Sequence, residues 1–171
     1  LVVNRQLIVG PNAITGELGH NPLPGYDPAL DGPSQPCYCG RDNCIERFVS
    51  GTGFAGRFVE RHGRGLSPSG IITAAAEGDV EAEAHYDHFI QALARSVASL
   101  INVLDPDVIV LGGGLSNIDR LYLDLPQALT PYLFSDRCIT PMVPARYGDS
   151  SGVRGAAWLP SCVEGATTWA I

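Results

Sequence analysis

Apolar residues recur at Phe89, Leu93, Val97, Leu100, Ile101 and Leu104 in steps of three and four, behind Asp79, Glu81 and Glu83. That spacing draws one stripe down a helix, Asp79 suits its N-cap and the two glutamates favour its first turns. One long helix with a buried stripe is therefore predicted over Asp79 to Leu104. Asp105-Pro106 ends it, because the residue before a proline is driven out of the α region. Asp107-Val-Ile-Val-Leu111 is a short unbroken apolar run, the pattern of a strand buried on both faces in a parallel or mixed sheet. Gly112-Gly113-Gly114 turns the chain, Ile118 to Phe134 allows a helix bent near Pro126, and Val153 to Leu159 allows a short last one. Upstream, Ile45, Phe48, Val49, Phe54, Phe58 and Val59 fit a helix over Cys44 to His62, broken or restarted near Gly51–Gly53. Leu-Val-Val at 1–3 and Leu-Ile-Val at 7–9 predict a hairpin turning on Asn4, Arg5 and Gln6. Between Gly10 and Gly40, Pro22, Pro24, Pro28, Pro33 and Pro36 keep interrupting backbone pairing, so this stretch reads as a long loop, which is normally functional or clamped. Helix following strand in this order makes the fold α/β.

At 171 residues the chain amounts to about one domain, and 45% hydrophobic with 17% charged residues excludes a disordered tail. A net charge of -7 leaves no basic footprint for nucleic acid or an anionic membrane, so a small-molecule partner is expected. No apolar run reaches the roughly 18 residues of a membrane span and no signal pattern opens the chain, which reads as cytoplasmic. Its single Met, at 142, and a start inside a β-like stretch lead to the expectation of a piece of a longer protein.

The chemistry concentrates in Cys37-Tyr-Cys39-Gly-Arg-Asp-Asn-Cys44, which holds three of the five cysteines at the end of the proline-rich loop. In a reducing compartment, three thiols this close favour a thiolate metal site over disulfides. Soft sulfur in a tetrahedral set favours zinc, with Gly40 turning the third sulfur back. His20 is the nearest histidine and the candidate fourth ligand; free or paired cysteines are the plainer alternative. His62, His85 and His88 read as surface residues. Gly16-Glu17-Leu18-Gly19-His20 puts an acid three residues before that imidazole, and Glu46 lies two after Cys44. Two carboxylates and an imidazole around one fixed loop suit a polyhydroxylated ligand, because ionised carboxylates accept hydrogen bonds from hydroxyls. Two solvated acids fit as well. Gly112, Gly113 and Gly114 follow a strand where a nucleotide could lie against backbone, although any tight turn would use them. Gly148-Asp-Ser-Ser-Gly152 reads most simply as a turn with an N-cap.

Together, Gly16-Glu-Leu-Gly-His20, then Cys37-x-Cys39-Gly-x3-Cys44-Ile-Glu46, then Asp105-Pro-Asp-Val-Ile-Val-Leu-Gly-Gly-Gly-Leu-Ser-Asn117 resemble, in order and spacing, the ROK family of bacterial sugar kinases and their repressor relatives. The resemblance runs from Leu1 to about Leu159, while 160–171 match nothing. His20-Asn-Pro-Leu-Pro24, Ser50-Gly-Thr-Gly-Phe-Ala55 and Gly148-Asp-Ser-Ser-Gly-Val-Arg-Gly-Ala-Ala157 look most like the branch holding fructokinases and N-acetylglucosamine kinases, fructokinase the nearer. The resemblance implies an actin-like, ribonuclease H-like ATPase fold, with residues 1–159 forming the C-terminal, mostly large-lobe half and the N-terminal lobe outside the chain. It implies zinc held by His20, Cys37, Cys39 and Cys44, sugar hydroxyls bound by Glu17, His20 and Glu46, and a nucleotide beside Gly112, Gly113 and Gly114. The implied activity is MgATP-dependent phosphorylation of a hexose, fructose first, with N-acetylglucosamine or glucose as alternatives, by a homodimer. Two family elements do not occur in these residues: the phosphate-binding Asp-x-Gly-Gly-Thr segment and the Asn-Asp pair whose Asp is the general base. No catalytic residue is therefore expected in this chain, and it is expected not to turn over alone. The family also contains sugar-responsive repressors, which carry a winged-helix segment upstream, so nucleic acid becomes a partner only if such a segment exists.

Overall fold

The computed structural model describes residues 1–163, with side chains placed through Ala157; beyond residue 163 the expected unassigned tail lies outside the described residues. The chain opens with a hairpin of β1 (Val2–Val3) and β2 (Gln6–Leu7), in which Val2 faces Leu7 and Val3 faces Gln6. Its turn is Asn4-Arg5, at φ 52° and 63°, the geometry that matches strand twist in a two-residue loop. Gln6 thus belongs to a strand and not to the expected turn. The proline-rich stretch holds a short 3-10 turn at Leu18–His20 and α1 (Pro28–Asp31), whose Asp27 cap accepts from Ala29 N–H.

The predicted break after Cys44 falls at Ser50. α2 (Glu46–Val49) ends there and α3 (Gly51–His62) begins, with the Ser50 hydroxyl capping Gly53 N–H at 3.0 Å. Gly53 is required by the close approach of the two helices, since a β-carbon there would lie 2.4 Å from the Arg47 carbonyl oxygen. α4 (Pro68–Ala76), which the periodicity did not predict, is capped by Ser67 and starts on a proline. The longest element, α5 (Val80–Leu104), begins as predicted, with Asp79 accepting from Glu81 and Ala82 N–H, and stops at Asp105, held at φ 41° before Pro106.

β3 (Ile109–Leu111) pairs in parallel with β4 (Met142–Pro144), Val110 facing Val143, in a second two-stranded sheet. β3 is not buried on both faces. Ile109 and Leu111 pack towards α5 and α6 (Asp119–Leu129), while Val110, pointing the other way, is 58% exposed. α6 carries Pro126 inside it and gives way to a 3-10 turn at Thr130–Tyr132, so the predicted helix to Phe134 stops early. α7 (Ser151–Val163) starts sooner and runs longer than predicted.

The core is wrapped around α5. Its N-terminal half packs Ala82, Tyr86, Phe89 and Ile90 against Phe54 and Phe58 of α3, Ile71 and Ala75 of α4 and Leu121 of α6. Its C-terminal half packs Ala94, Val97, Ala98 and Ile101 against Leu125 and Leu129. Leu104, predicted in the stripe, is exposed. A third cluster of Leu23, Ile45, Phe48 and Ala92 seats the cysteine-bearing loop on the same helix. Beside it the buried Arg95 donates to the Pro24 and Gly25 carbonyls at 3.1 and 2.8 Å, and to both carboxylate oxygens of the buried Asp31 at 3.1 and 2.5 Å. A buried pair of this kind is worth most as a clamp, because removing either partner strands a charge. The loop is therefore anchored on a helix that the whole core holds rigid.

One histidine departs from the surface reading: His85 is 4% exposed, its Nε2 2.8 Å from the Phe54 carbonyl and its ring stacked on Phe54. Burial, reinforced by Arg61, His62 and Arg57 and opposed by the Phe54 carbonyl, pushes its pKa down to about 4. The folded protein thus keeps the ring neutral where the unfolded chain binds a proton, so its contribution is complete above about pH 6.5 and is lost as pH falls towards 4. Urea titrations of wild type and His85→Gln at pH 7 and pH 4.5 should show up to about 3 kcal/mol of acid sensitivity that the variant lacks.

Candidate functional site

The thiol cluster is built by backbone pairing. Cys37 N–H donates to the Arg41 carbonyl at 2.8 Å and Gly40 N–H to the Cys37 carbonyl at 3.0 Å, closing a turn in which Gly40 takes φ 85°. Asn43 closes the base of this turn: its N–H donates to the Gln35 carbonyl and its side-chain oxygen accepts from Gln35 N–H, both at 2.8 Å. The strand-like segment after it lies antiparallel to 21–23, with Leu23 N–H donating to Asn43 and Ile45 N–H to Asn21. This pairing sets His20 beside Cys44, although 24 positions separate them.

His20, Cys37, Cys39 and Cys44 converge as the sequence predicted, with one ligand atom from each lying within 4.8 Å of all the others. His20 Nδ1 is 3.6 Å from Cys37 Sγ, and Cys39 Sγ is 3.5 Å from Cys44 Sγ. A tetrahedral zinc with Zn–S of about 2.3 Å and Zn–N of about 2.0 Å has ligand–ligand edges of roughly 3.5–3.8 Å, which the His20–Cys37 and Cys39–Cys44 pairs match, while all four donors lie within 4.8 Å of one another. Cys44 is 1% and Cys37 7% exposed, and Cys39 is exposed at the rim. The Arg41 backbone N–H lowers the Cys39 pKa, and burial raises that of Cys44. The rim thiol Cys39 thus ionises more readily than the buried Cys44.

The other face of the imidazole points outward. His20 Nε2 is 3.5 Å from Glu46 Oε2 and 2.8 Å from the Tyr38 hydroxyl. Glu46 opens α2 and packs on Gly19, whose added β-carbon would sit 3.5 Å from that of Glu46. Glu17 is exposed at the head of the 3-10 turn, and its charge, with that of Glu46, acts on Tyr38. Tyr38 escaped the sequence reading. Its one signal is its place between two candidate ligands.

The glycine turn abuts α3: Leu115 Cγ is 3.8 Å from where a Gly51 side chain would begin. Gly113 takes φ 79°, ψ 179°, a conformation open essentially to glycine alone, and its carbonyl accepts from Ser116 N–H at 3.0 Å and Ser116 Oγ at 2.7 Å. Gly112 and Gly114 carry no side chain that would screen this backbone. Asn117, at the end of the turn, lies against Gly148, where an added β-carbon would come 3.0 Å from its side-chain oxygen. The turn expected at Gly148 therefore faces the first, as a 3-10 turn over Gly148–Ser150.

Known proteins share this arrangement of segments. The model of the ROK family matches residues 1–162. An N-acetyl-D-glucosamine kinase of Yersinia pseudotuberculosis is 41% identical over 162 residues, covering 93% of this chain and 53% of that protein. The N-acetyl-D-glucosamine kinase of Aliivibrio fischeri is 38% identical over the same length. Among solved structures, the ROK hexokinase from Thermus thermophilus superposes with a TM-score of 0.73 at 26% identity, covering 94% of this chain and 52% of that one. The chain spans about half the length of the relatives it matches.

Proposed function

The chain belongs to the ROK family and shares the actin-like ATPase fold of its kinases; on that premise we propose that the protein carrying it phosphorylates a hexose with MgATP. This chain supplies the sugar site, a zinc clamp and one wall of the nucleotide cleft. The observation that carries the reading is the two-faced His20, with Nδ1 turned to the thiols and Nε2 to Glu46. His20, Cys37, Cys39 and Cys44 would hold the zinc, whose chemistry is structural: it fixes the loop and the imidazole. With Nδ1 taken, Nε2 carries the proton and can only donate, so it meets a sugar oxygen as acceptor. Glu17 and Glu46 complement it by accepting from sugar hydroxyls. Phosphoryl transfer asks the protein chiefly for positioning and charge stabilisation. Gly112, Gly113 and Gly114 offer backbone to the nucleotide, and the general base belongs to the part of the protein outside these residues.

The sugar is the finer question. The comparisons do not single out fructose, and the relatives near 40% identity carry the name N-acetyl-D-glucosamine kinase, so N-acetylglucosamine fits at least as well and heads the panel. A coupled ADP-release assay on the full-length protein with N-acetylglucosamine, fructose, glucose and mannose decides among them. Indifference to every sugar would end the kinase reading. Glu46→Gln replaces an acceptor oxygen by an amide donor. The Glu46 side chain is 38% exposed without sugar, so where the bound sugar buries this hydrogen bond the change should weaken sugar binding by roughly 1–3 kcal/mol, seen as a raised KM, while zinc stays at one equivalent.

A further inference from the structure

We propose that the Tyr38 hydroxyl stands in for a sugar hydroxyl: in the sugar-free protein it occupies the place on His20 Nε2 that substrate takes, and it swings out as substrate enters. The inference rests on the sugar site proposed above and adds to it a residue that competes with the ligand. Tyr38 is 83% exposed, so packing does not fix its ring. Its hydroxyl is nevertheless drawn in to 2.8 Å from His20 Nε2, the two rings meeting edge to face with centroids 5.0 Å apart.

The donor and acceptor pattern explains why. His20 Nδ1 faces Cys37 Sγ at 3.6 Å, and with Nδ1 given to the zinc proposed above, Nε2 carries the ring proton and donates to the phenol oxygen. The phenol keeps its own proton to offer to an acceptor, and the nearest carboxylate oxygen, Glu46 Oε2, is 3.5 Å from the same nitrogen. One oxygen that accepts from the imidazole and faces carboxylates is what a sugar hydroxyl would be there. Tyr38 sits on the tight turn between Cys37 and Cys39, whose backbone is pinned by the Cys37–Arg41 and Gly40–Cys37 hydrogen bonds. Release therefore needs only rotation of an exposed side chain, which is fast beside catalysis.

Displacing one such hydrogen bond carries a modest cost, so removing the hydroxyl should favour the sugar by about two- to tenfold. In the full-length protein, Tyr38→Phe should lower the sugar KM by that factor, the change falling on KM rather than kcat, with zinc content as in wild type. An unchanged KM overturns the proposal, and a raised one overturns it in favour of Tyr38 holding the sugar directly. A second readout stands whether or not a substrate is found. In the sugar-free protein with 15N-labelled histidine, Tyr38→Phe should shift the His20 Nε2 resonance and speed exchange of its proton; no change in either would mean the hydroxyl does not rest there. Failure of wild type to phosphorylate any hexose, with the resonance shift present, would instead count against the kinase reading alone.

Discussion

Cys37→Ser should strip the zinc from the full-length protein, which as purified without added metal should carry about one equivalent. Cys37 is 7% exposed and its sulfur faces His20 Nδ1, so a serine hydroxyl, a far poorer zinc ligand, would leave three donors around an ion that wants four. Metal binding and folding of such a loop are one process, and a structural zinc in small peptides is worth on the order of 10 kcal/mol, so its loss outweighs any single contact in this region. The damage should stay local, because Leu23, Ile45 and Phe48 still pack on α5 and Arg95 still holds Asp31. Elemental analysis reads the metal, and amide exchange at Cys37, Gly40 and Asn43 reads the loop. Cys138→Ser should change neither, since that thiol's nearest polar contact is a weak one at 3.9 Å to the Thr140 carbonyl. A metal-free wild type with those amides fully protected would refute the zinc site.

The parts of this arrangement that depend on near neighbours in sequence were legible before any coordinates. The cap at Asp79, the stop at Asp105-Pro106 and the three clustered cysteines each express a rule acting within a few residues. His20 could be proposed as the fourth ligand because a long loop ends on the thiols, yet the pairing of 21–23 with 43–45 that delivers it was not visible. The errors share that origin. The periodicity does not show α4 because its apolar face is short, Ile71 and Ala75 flanked by Ile72 and Ala74, although Ser67-Pro68 is a proper start signal. The burial of His85 is not legible in its own helix, where nothing shows that Phe54 and Phe58 close over it. β3 was expected to be covered on both faces, but a continuous apolar run does not show which neighbours cover it. Asp31 and Arg95, 64 positions apart, meet through tertiary packing that no local pattern announces.

His20→Gln should cost the full-length protein both its zinc and its sugar, and this coupling separates the proposed site from one in which the two ligands merely lie close. The imidazole presents Nδ1 to Cys37 at 3.6 Å and Nε2 to the Glu46 side, so one planar ring links the metal cluster to the ligand face. Glutamine can still donate from its amide nitrogen, but it offers the metal no comparable lone pair and cannot hold two opposed directions in a rigid plane. Losing the imidazole donor, once the bound sugar covers it, should by itself reduce kcat/KM by roughly five- to 150-fold, the equivalent of about 1–3 kcal/mol. Loss of the metal then loosens the turn that carries Cys37 to Arg41 and the segment leading into Glu46, which adds to the deficit. Glu46→Gln supplies the contrast, since it touches the ligand face only and should leave the metal in place. Zinc content and sugar kinetics measured on both variants therefore form a pattern: both properties fall for His20→Gln, and sugar affinity alone falls for Glu46→Gln. If His20→Gln keeps a full equivalent of zinc and loses only sugar affinity, the fourth ligand lies elsewhere and the ring does not bridge metal and substrate.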